Sequence, residues 1–274
     1  MYLKKKRIFF RVDGDHGKFH GLGHVTRILK LYNDLKFKYH SKYNFFFITK
    51  KNTLGHYIIK QQTKEKIYFL DKAISKNFFL SDDKVIVDTL GIEKKFSSFL
   101  RNSNVKKIIS FDELNPNFYN RGIIINGIYF TKRKLVARNK LNVYQNIDYI
   151  TLDKNFKFKK KLIINNKILI TSGGTDKKNF LFKISKLLLK YFENKYILYV
   201  IIGAGVKKNN KIFKLKKYKN IKFIKNANNL KKFYDKCSFC ITSGGNVMFE
   251  AISSGRATFS SETYRNQEHA IKYF

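Results

Sequence analysis

HGLGHVT, residues 20–26, places two closely spaced glycines and a histidine where an apolar strand gives way to a helix. The preceding KRIFFRV, which ends at Val12, is typical of a buried strand. Beyond the motif, apolar residues recur at helical spacing: Val25, Ile28, Leu29, Leu31 and Leu35. The motif is therefore predicted to lie on a strand-to-helix turn. In a parallel α/β sheet such turns lie at the carboxyl edge, where ligands bind.

The motif alone leaves two interpretations open. Gly21 and Gly23 occur in a G-x-G pattern, which is found wherever a tight turn needs a positive φ or a helix packs closely on a strand. His24, in the first helical turn, is then a solvated side chain. Alternatively, the glycines let the backbone approach a ligand and His24 takes part in chemistry.

Outward from this turn, short apolar strands alternate with helix-like segments. In the first half the predicted strands are 44–50, 66–70, 84–91, 105–113 and 122–126, with a helix-like segment at 96–102. The pattern breaks between 150 and 166 and restarts at KILITSGG, 167–174. This alternation predicts an α/β fold of two Rossmann-like domains with parallel sheets, residues 1–155 and 156–274.

The second half carries two nearly identical turns. ITSGG occurs at 170–174 and again at 241–245, each time after an apolar strand and before a helix. Consecutive N–H groups of paired glycines can face one anion, and the adjoining helix dipole favours negative charge. The turns predict a diphosphate site, formed by the following glycines: Gly173, Gly174, Gly244 and Gly245.

Asn246 and Glu250 follow the second turn at i, i+4 spacing, so they share one helix face. A carboxylate at this distance from a phosphate site is placed to accept hydrogen bonds from a ribose. A surface glutamate explains Glu250 equally well.

The formal charge of +38 raises the question of nucleic acid as a partner. The excess is nearly all lysine and accompanies abundant Asn, Ile, Phe and Tyr, residue types with A/T-rich codons. The lysines are scattered over predicted turns and helix faces rather than gathered in one aromatic-interleaved stripe. We therefore expect no nucleic acid partner, although a positive field would attract an anionic substrate.

Apolar stretches and cysteines further limit the cellular location and the chemistry to be expected. No stretch approaches the ~20 apolar residues of a membrane span, and the first residues do not form a signal peptide, so a cytoplasmic protein is expected. Cys237 and Cys240 form a C-x-x-C, which suggests either redox chemistry or half a zinc site. Because they lie where a helix runs into a strand and lack a second pair, buried apolar cysteines are favoured.

Taken in order, four blocks of sequence resemble one family. They are GLGHVTR (21–27) after a strand with Arg11 and Asp13, ITSGGTD (170–176), ITSGGNVMFEAISSGRA (241–257) and NQ (266–267). Together they are similar to the UDP-sugar hydrolase of the pseudaminic acid pathway and its spore-coat polysaccharide relatives, whose fold is like that of GT-B glycosyltransferases. The resemblance implies a GT-B-like fold with two sheets facing a cleft.

The resemblance also implies a chemistry. Such enzymes cleave the anomeric C1–O bond of UDP-2,4-diacetamido-2,4,6-trideoxy-altrose with water, without metal or cofactor. By position, His24 becomes the residue that activates water, Gly244, Gly245 and Asn246 hold phosphate, and Glu250 holds the ribose. Three correspondences are weaker. Asp13 would orient the sugar or His24, and Asn266 with Gln267 would lie near the sugar or uracil. Asp88 and Asp112 match acidic positions of the family at strand ends.

This chain departs from the family in two places. The loop before GLGH is longer, with His16 and His20 at positions that have no counterpart. The family usually continues beyond EHAIKYF, so the C-terminal domain is expected to be shortened.

Two other functions stay open, a glycosyltransferase that uses the same UDP-sugar and a non-catalytic protein that binds polyanions. The sequence does not define the oligomeric state.

Overall fold

The structure, a computed structural model, describes residues 5–14, 22–70, 78–89, 92–111, 115, 118–127, 140–153, 155–156, 163–193, 195–225, 227, 230–264 and 267–274. The chain divides into two compact units, Met1–Thr151 and Leu152–Phe274. None of the helices in these ranges combines the length and the apolar sequence needed to cross a membrane.

The first unit is built on a sheet of seven parallel strands in the order β3-β2-β1-β4-β5-β6-β7. The strands are β1 (Lys6–Val12), β2 (Tyr43–Thr49), β3 (Lys66–Phe69), β4 (Lys84–Asp88), β5 (Lys107–Phe111), β6 (Arg121–Asn126) and β7 (Lys140–Gln145). The described α-helices are α1 (Gly23–Tyr39), α2 (Leu54–Gln62) and α3 (Lys94–Asn102), and Ile147–Tyr149 forms a 3₁₀ turn.

Both faces of this sheet are buried, which explains why its central strands are apolar throughout. Along β1, Phe10 packs with Ile28 of α1 in one core. Phe9 points to the opposite face and packs with Phe96 and Leu100 of α3. Alternate residues of β1 and β4 therefore belong to two different cores, one beneath α1 and one beneath α3.

The second unit repeats the arrangement with five parallel strands in the order β10-β9-β8-β11-β12. The strands are β8 (Lys167–Thr171), β9 (Ile197–Ile202), β10 (Ile221–Lys225), β11 (Phe239–Ser243) and β12 (Ala257–Ser261). The α-helices are α4 (Phe180–Phe192), α5 (Lys231–Tyr234), α6 (Asn246–Ser253) and α7 (Glu268–Tyr273), with 3₁₀ segments at Lys177–Asn179 and Lys211–Lys217.

The predicted α/β class and parallel sheets are confirmed, but two elements of the first unit were not predicted. β7 is an edge strand of mixed polarity, in which Leu141 is buried while Lys140 and Asn142 are exposed. α2 is short, and its N-terminus is capped by Thr53, whose hydroxyl accepts a hydrogen bond from the His56 N–H at 3.2 Å. Neither segment shows the long apolar run that marks the central elements.

In both units the first strand lies inside the sheet, and the strand order reverses beside it. The reversal falls between β1 and β4 in the first unit and between β8 and β11 in the second. At such a point the chain leaves neighbouring strands toward opposite faces, which opens a crevice at the carboxyl edge. Ligand-binding residues are therefore expected at the carboxyl ends of these four strands.

Gly122 provides a test of the strand arrangement. Its φ is +113°, and a Cβ at this position would lie 2.4 Å from the carbonyl oxygen of Ile108 on β5. We expect Gly122→Ala to lower the free energy of unfolding of the first unit by roughly 2 to 4 kcal/mol, since both the backbone conformation and the contact are unfavourable.

The control is Lys95→Ala, an exposed α3 position in the same unit, which should change stability by less than about 0.5 kcal/mol. Urea unfolding followed by far-UV circular dichroism measures both variants. Equal stabilities for the two would contradict the described pairing of β5 with β6.

Candidate functional site

The crevice of the first unit contains a buried carboxylate shared by two basic side chains. His24 Nδ1 lies 2.6 Å from Asp88 Oδ1. Arg27 holds the same carboxylate with two hydrogen bonds, from Nε to Oδ2 at 2.7 Å and from Nη2 to Oδ1 at 2.6 Å. Asp88 is fully buried, whereas 13% of the His24 side chain is exposed. The histidine is thus anchored on its Nδ1 side and partly accessible.

Local sequence explains how these residues meet. His24 and Arg27 are separated by one turn of α1, so both side chains lie on one helix face. Asp88 ends β4 directly opposite Val12 of β1, on the sheet face covered by α1. The Arg27 guanidinium also lies over the ring of Phe111, 5.3 Å from its centre. Helix spacing and strand register together produce the contact.

The carboxylate selects the tautomer of the neutral imidazole. Burial alone would raise the pKa of Asp88, but the charges of Arg27 and His24 and their hydrogen bonds outweigh it and lower the pKa to about 2. An ionised carboxylate only accepts hydrogen bonds, so the 2.6 Å contact assigns a proton to Nδ1, and Arg27 Nη2 lies farther from this nitrogen, at 3.3 Å. In the neutral ring Nε2 is then the basic nitrogen, an arrangement suited to general-base chemistry.

Asp13 belongs to a different cluster. Its Oδ1 accepts hydrogen bonds from the Lys50 N–H at 3.0 Å and the Thr49 hydroxyl at 3.2 Å, and its Oδ2 pairs with Arg11. Arg11 is fully buried, packs over Phe96 beneath α3, and also binds Glu93 at 2.7 Å. Of the two roles predicted for Asp13, orienting His24 is wrong, because the carboxylate that contacts His24 is Asp88. Orienting the sugar stays a prediction.

In the second unit the two ITSGG turns meet. Thr171 and Thr242 are paired in register, and the Ser243 hydroxyl donates to the Ser172 carbonyl at 3.2 Å. Gly173 has a φ of +80°, which favours glycine. Gly203, at the end of β9, excludes any side chain, because a Cβ there would lie 2.2 Å from the Gly173 carbonyl oxygen.

Gln267 lies against the second turn. A Cβ on Gly244 would come 3.1 Å from Gln267 Cβ, and one on Gly245 would come 3.4 Å from Gln267 Nε2. Gln267 Oε1 accepts hydrogen bonds from the N–H and the hydroxyl of Thr263, at 2.9 and 3.1 Å. The predicted residues Gly173, Gly174, Gly244, Gly245, Asn246 and Gln267 thus share one sheet edge.

Glu250 lies deeper than a surface glutamate. It is 8% exposed on α6, and the Tyr234 hydroxyl lies 3.4 Å from its Oε2 and 3.1 Å from the Val247 carbonyl oxygen. Burial and the negative charge of Glu250 raise the pKa of Tyr234 well above its usual value. A ligand-binding role for Glu250 therefore stays a prediction. The structure adds that its carboxylate is largely buried inside the second unit.

Several predicted residues lie outside the described residues, namely Gly21, Asn266, Asp112, His16 and His20. Cys237 and Cys240 are free and fully buried beside Tyr234 and Ala251, as predicted for apolar cysteines. Burial raises the pKa of the Cys237 thiol to about 12, which keeps it unreactive. In the described ranges no group of three or more His, Cys, Asp or Glu side chains is arranged to hold a metal ion.

No protein-family model matches the chain. An uncharacterized protein of Methanocaldococcus jannaschii is 31% identical over 261 residues, which cover 86% of this chain and 51% of the relative. The spore coat polysaccharide biosynthesis protein SpsG of Bacillus subtilis is 24% identical over 256 residues, which cover 89% of this chain and 73% of SpsG. The chain thus spans about half the length of the first relative.

Solved structures agree with the fold. MurG of Acinetobacter baumannii matches 98% of this chain and 83% of its own, with a TM-score of 0.62 and 13% identity. The chain has a GT-B-like α/β fold. MnaA of S. aureus, solved with UDP, matches 98% of this chain and 87% of its own, with a TM-score of 0.53 and 13% identity. At these identities the likeness concerns the fold alone.

Asp88→Asn tests the electrostatics of the first crevice. Because the folded-state pKa of Asp88 is lowered from 3.8 to about 2, its ionised form stabilises the fold above about pH 4. This stabilisation is lost as the pH falls from about 4 through 2. We expect Asp88→Asn to cost about 3 kcal/mol near pH 6, since Arg27 loses its buried partner, and the difference from the parent to shrink by roughly 2 to 3 kcal/mol by pH 2.

The chain has no tryptophan, so far-UV circular dichroism in denaturant at several pH values measures these differences. The control is Asp82→Asn, whose side chain is 70% exposed beside Lys6 and which should stay within about 0.5 kcal/mol of the parent. A parent-to-variant difference independent of pH would refute the assignment.

Proposed function

We propose that the protein hydrolyses a UDP-linked diacetamido-trideoxy sugar at the anomeric C1–O bond, releasing UDP and the free sugar for a nonulosonic acid or surface glycan. The observation that carries this proposal is the 2.6 Å contact between His24 Nδ1 and the buried Asp88 carboxylate. It stands at the strand reversal of the first unit, on the residue that the sequence motif singled out. The resemblance to the pseudaminic acid hydrolase and the similarity to SpsG support the substrate class.

His24 acts as the general base in this mechanism. Its Nε2 takes a proton from water as the water oxygen attacks C1, and the resulting imidazolium is stabilised by the ionised Asp88. Arg27 keeps Asp88 ionised and in place, so the imidazole holds its tautomer and orientation. General-base catalysis of this kind contributes about 10² to 10⁴ in rate.

UDP departs with the electron pair of the C1–O bond. The Gly173 N–H donates to the Thr171 hydroxyl at 3.2 Å and the Gly244 N–H to the Ser261 carbonyl at 3.2 Å, so the phosphates meet the N–H groups of Gly174 and Gly245. α6 begins directly after the second turn, with its N-terminal dipole favouring the phosphates. Asn246 opens this helix, and Glu250 accepts the ribose hydroxyls. The developing negative charge is thus met by preorganised donors.

A glycosyltransferase is the second candidate, with an acceptor hydroxyl in place of water. The same base and UDP site serve both reactions, and the GT-B-like fold favours neither. Incubation with a panel of UDP-diacetamido sugars without acceptor separates them, because the hydrolase releases free sugar and UDP in equal amounts. UDP binding without sugar release, combined with transfer when acceptors are added, would establish the transferase.

His24→Asn tests the proposed base. Asparagine keeps polarity and approximate size but cannot take a proton near neutral pH, so turnover should fall at least about 10²-fold while substrate binding stays within a few-fold. UDP release under saturating substrate and calorimetric binding measure the two quantities. His40→Asn, at an exposed position after α1, is the matched control and should keep full turnover. Parent-level turnover in His24→Asn would reject the base.

Glu250→Gln and Glu250→Ala test the nucleotide site. Loss of the charged acceptor should weaken UDP by about 1 to 3 kcal/mol, whereas His24→Ala should leave UDP affinity nearly unchanged. Tyr234→Phe removes the hydroxyl next to Glu250 without changing the carboxylate and serves as the control for packing. Isothermal titration calorimetry with UDP measures all four. Equal weakening in the Glu250 and His24 variants would contradict the assignment of UDP to the second unit.

A further inference from the structure

A lysine and a tyrosine meet beside the two glycine turns of the second unit. Lys177 Nζ lies over the ring of Tyr264, 4.5 Å from its centre. The Tyr264 hydroxyl is 2.8 Å from the Thr175 hydroxyl, directly after the first turn. Thr175 is buried, whereas Lys177 and Tyr264 are half-buried. A charged group therefore stands three residues past Gly174 in a defined position.

The two residues that follow Lys177 have left-handed backbone conformations. Lys178 and Asn179 have φ values of +60° and +52°, a region that asparagine tolerates but lysine seldom occupies. Asp176 fixes the segment, since its carboxylate accepts hydrogen bonds from the Leu181 N–H at 3.1 Å and from Asn210 Nδ2 at 2.9 Å. Strain that the surrounding structure enforces is typical of functional positions.

Tyr264 also connects this segment to the second turn. Its N–H donates to Gln267 Oε1 at 3.3 Å, and Gln267 lies against Gly245. The chain of contacts from Lys177 through Tyr264 to Gln267 runs along the edge where the two turns meet. Lys177 thus belongs to the same edge as the backbone N–H groups of the turns.

We propose that Lys177 binds the diphosphate of the nucleotide and neutralises the charge that UDP acquires when the C1–O bond breaks. This inference rests on the proposed function. A lysine ammonium has three donors, and the interaction with an aromatic face orders the side chain. Backbone N–H groups and a helix dipole supply only partial charges, so a full positive charge adds what the turns lack.

Calorimetric titration of the parent and of Lys177→Gln with UDP and with uridine tests the proposal. The variant should bind UDP about tenfold more weakly, the scale of a charge-assisted hydrogen bond at a half-buried position, and should bind uridine as the parent does. Lys177→Arg should recover most of the affinity for UDP. The matched control is Lys178→Gln, the exposed neighbour, whose UDP affinity should stay within about twofold of the parent.

Three results would overturn the inference. Equal UDP affinities of the parent and Lys177→Gln would show that Lys177 does not meet the diphosphate. Equal weakening toward UDP and uridine would show a general disturbance of the fold. If the parent bound neither UDP nor a UDP-sugar, the proposed function and this inference would both fail, whereas the first two results leave UDP binding by the parent intact.

Discussion

The position of the first strand inside each parallel sheet constrains everything else in this molecule. β1 and β8 have neighbours on both sides, and the strand order reverses next to them. The chain must therefore cross to opposite faces after adjacent strands, and their carboxyl ends stay uncovered by either crossover. Val12 with Asp88 in one unit and Thr171 with Thr242 in the other mark these ends. The same topological rule thus places the His24–Asp88–Arg27 cluster at one sheet edge and the two glycine turns at the other.

Asp88 shows why the first crevice needs three residues rather than two. A carboxylate buried alone would take up a proton and could not orient an imidazole. Arg27 binds it through two parallel hydrogen bonds and keeps it charged. The ionised Oδ1 then also accepts a hydrogen bond from His24 Nδ1. The stabilising pair and the orienting contact share one carboxylate. The stability of the fold and the orientation of the imidazole are consequently coupled at this position.

The sequence predicts the central strands and the two glycine turns because long apolar runs and repeated motifs are local signals. It does not predict β7, whose edge position tolerates polar residues, and it does not decide between Asp13 and Asp88 as partner of His24. That choice depends on which sheet face each residue occupies and on Arg11 engaging Asp13 beneath α3. The contact between Thr175 and Tyr264 joins residues far apart in the chain, so no local pattern reveals it.

The chain's large positive charge bears less on these sites than its few arginines do. Arg7 binds Asp83, and Arg27 binds Asp88, each through Nε and Nη2 to both carboxylate oxygens. A guanidinium supplies this fork, whereas an ammonium is a point charge that remains strongly hydrated. Lysines in ion pairs such as Lys6 and Lys272 stand at exposed positions, where any solvated cation suffices. Exposed positions therefore accommodate the bias toward lysine, while the buried carboxylates of Asp83 and Asp88 are held by arginine. The proposed contact of Lys177 with the diphosphate differs from these forks. A compact ammonium suits it, because phosphate oxygens can accept hydrogen bonds from a single charged nitrogen in many directions.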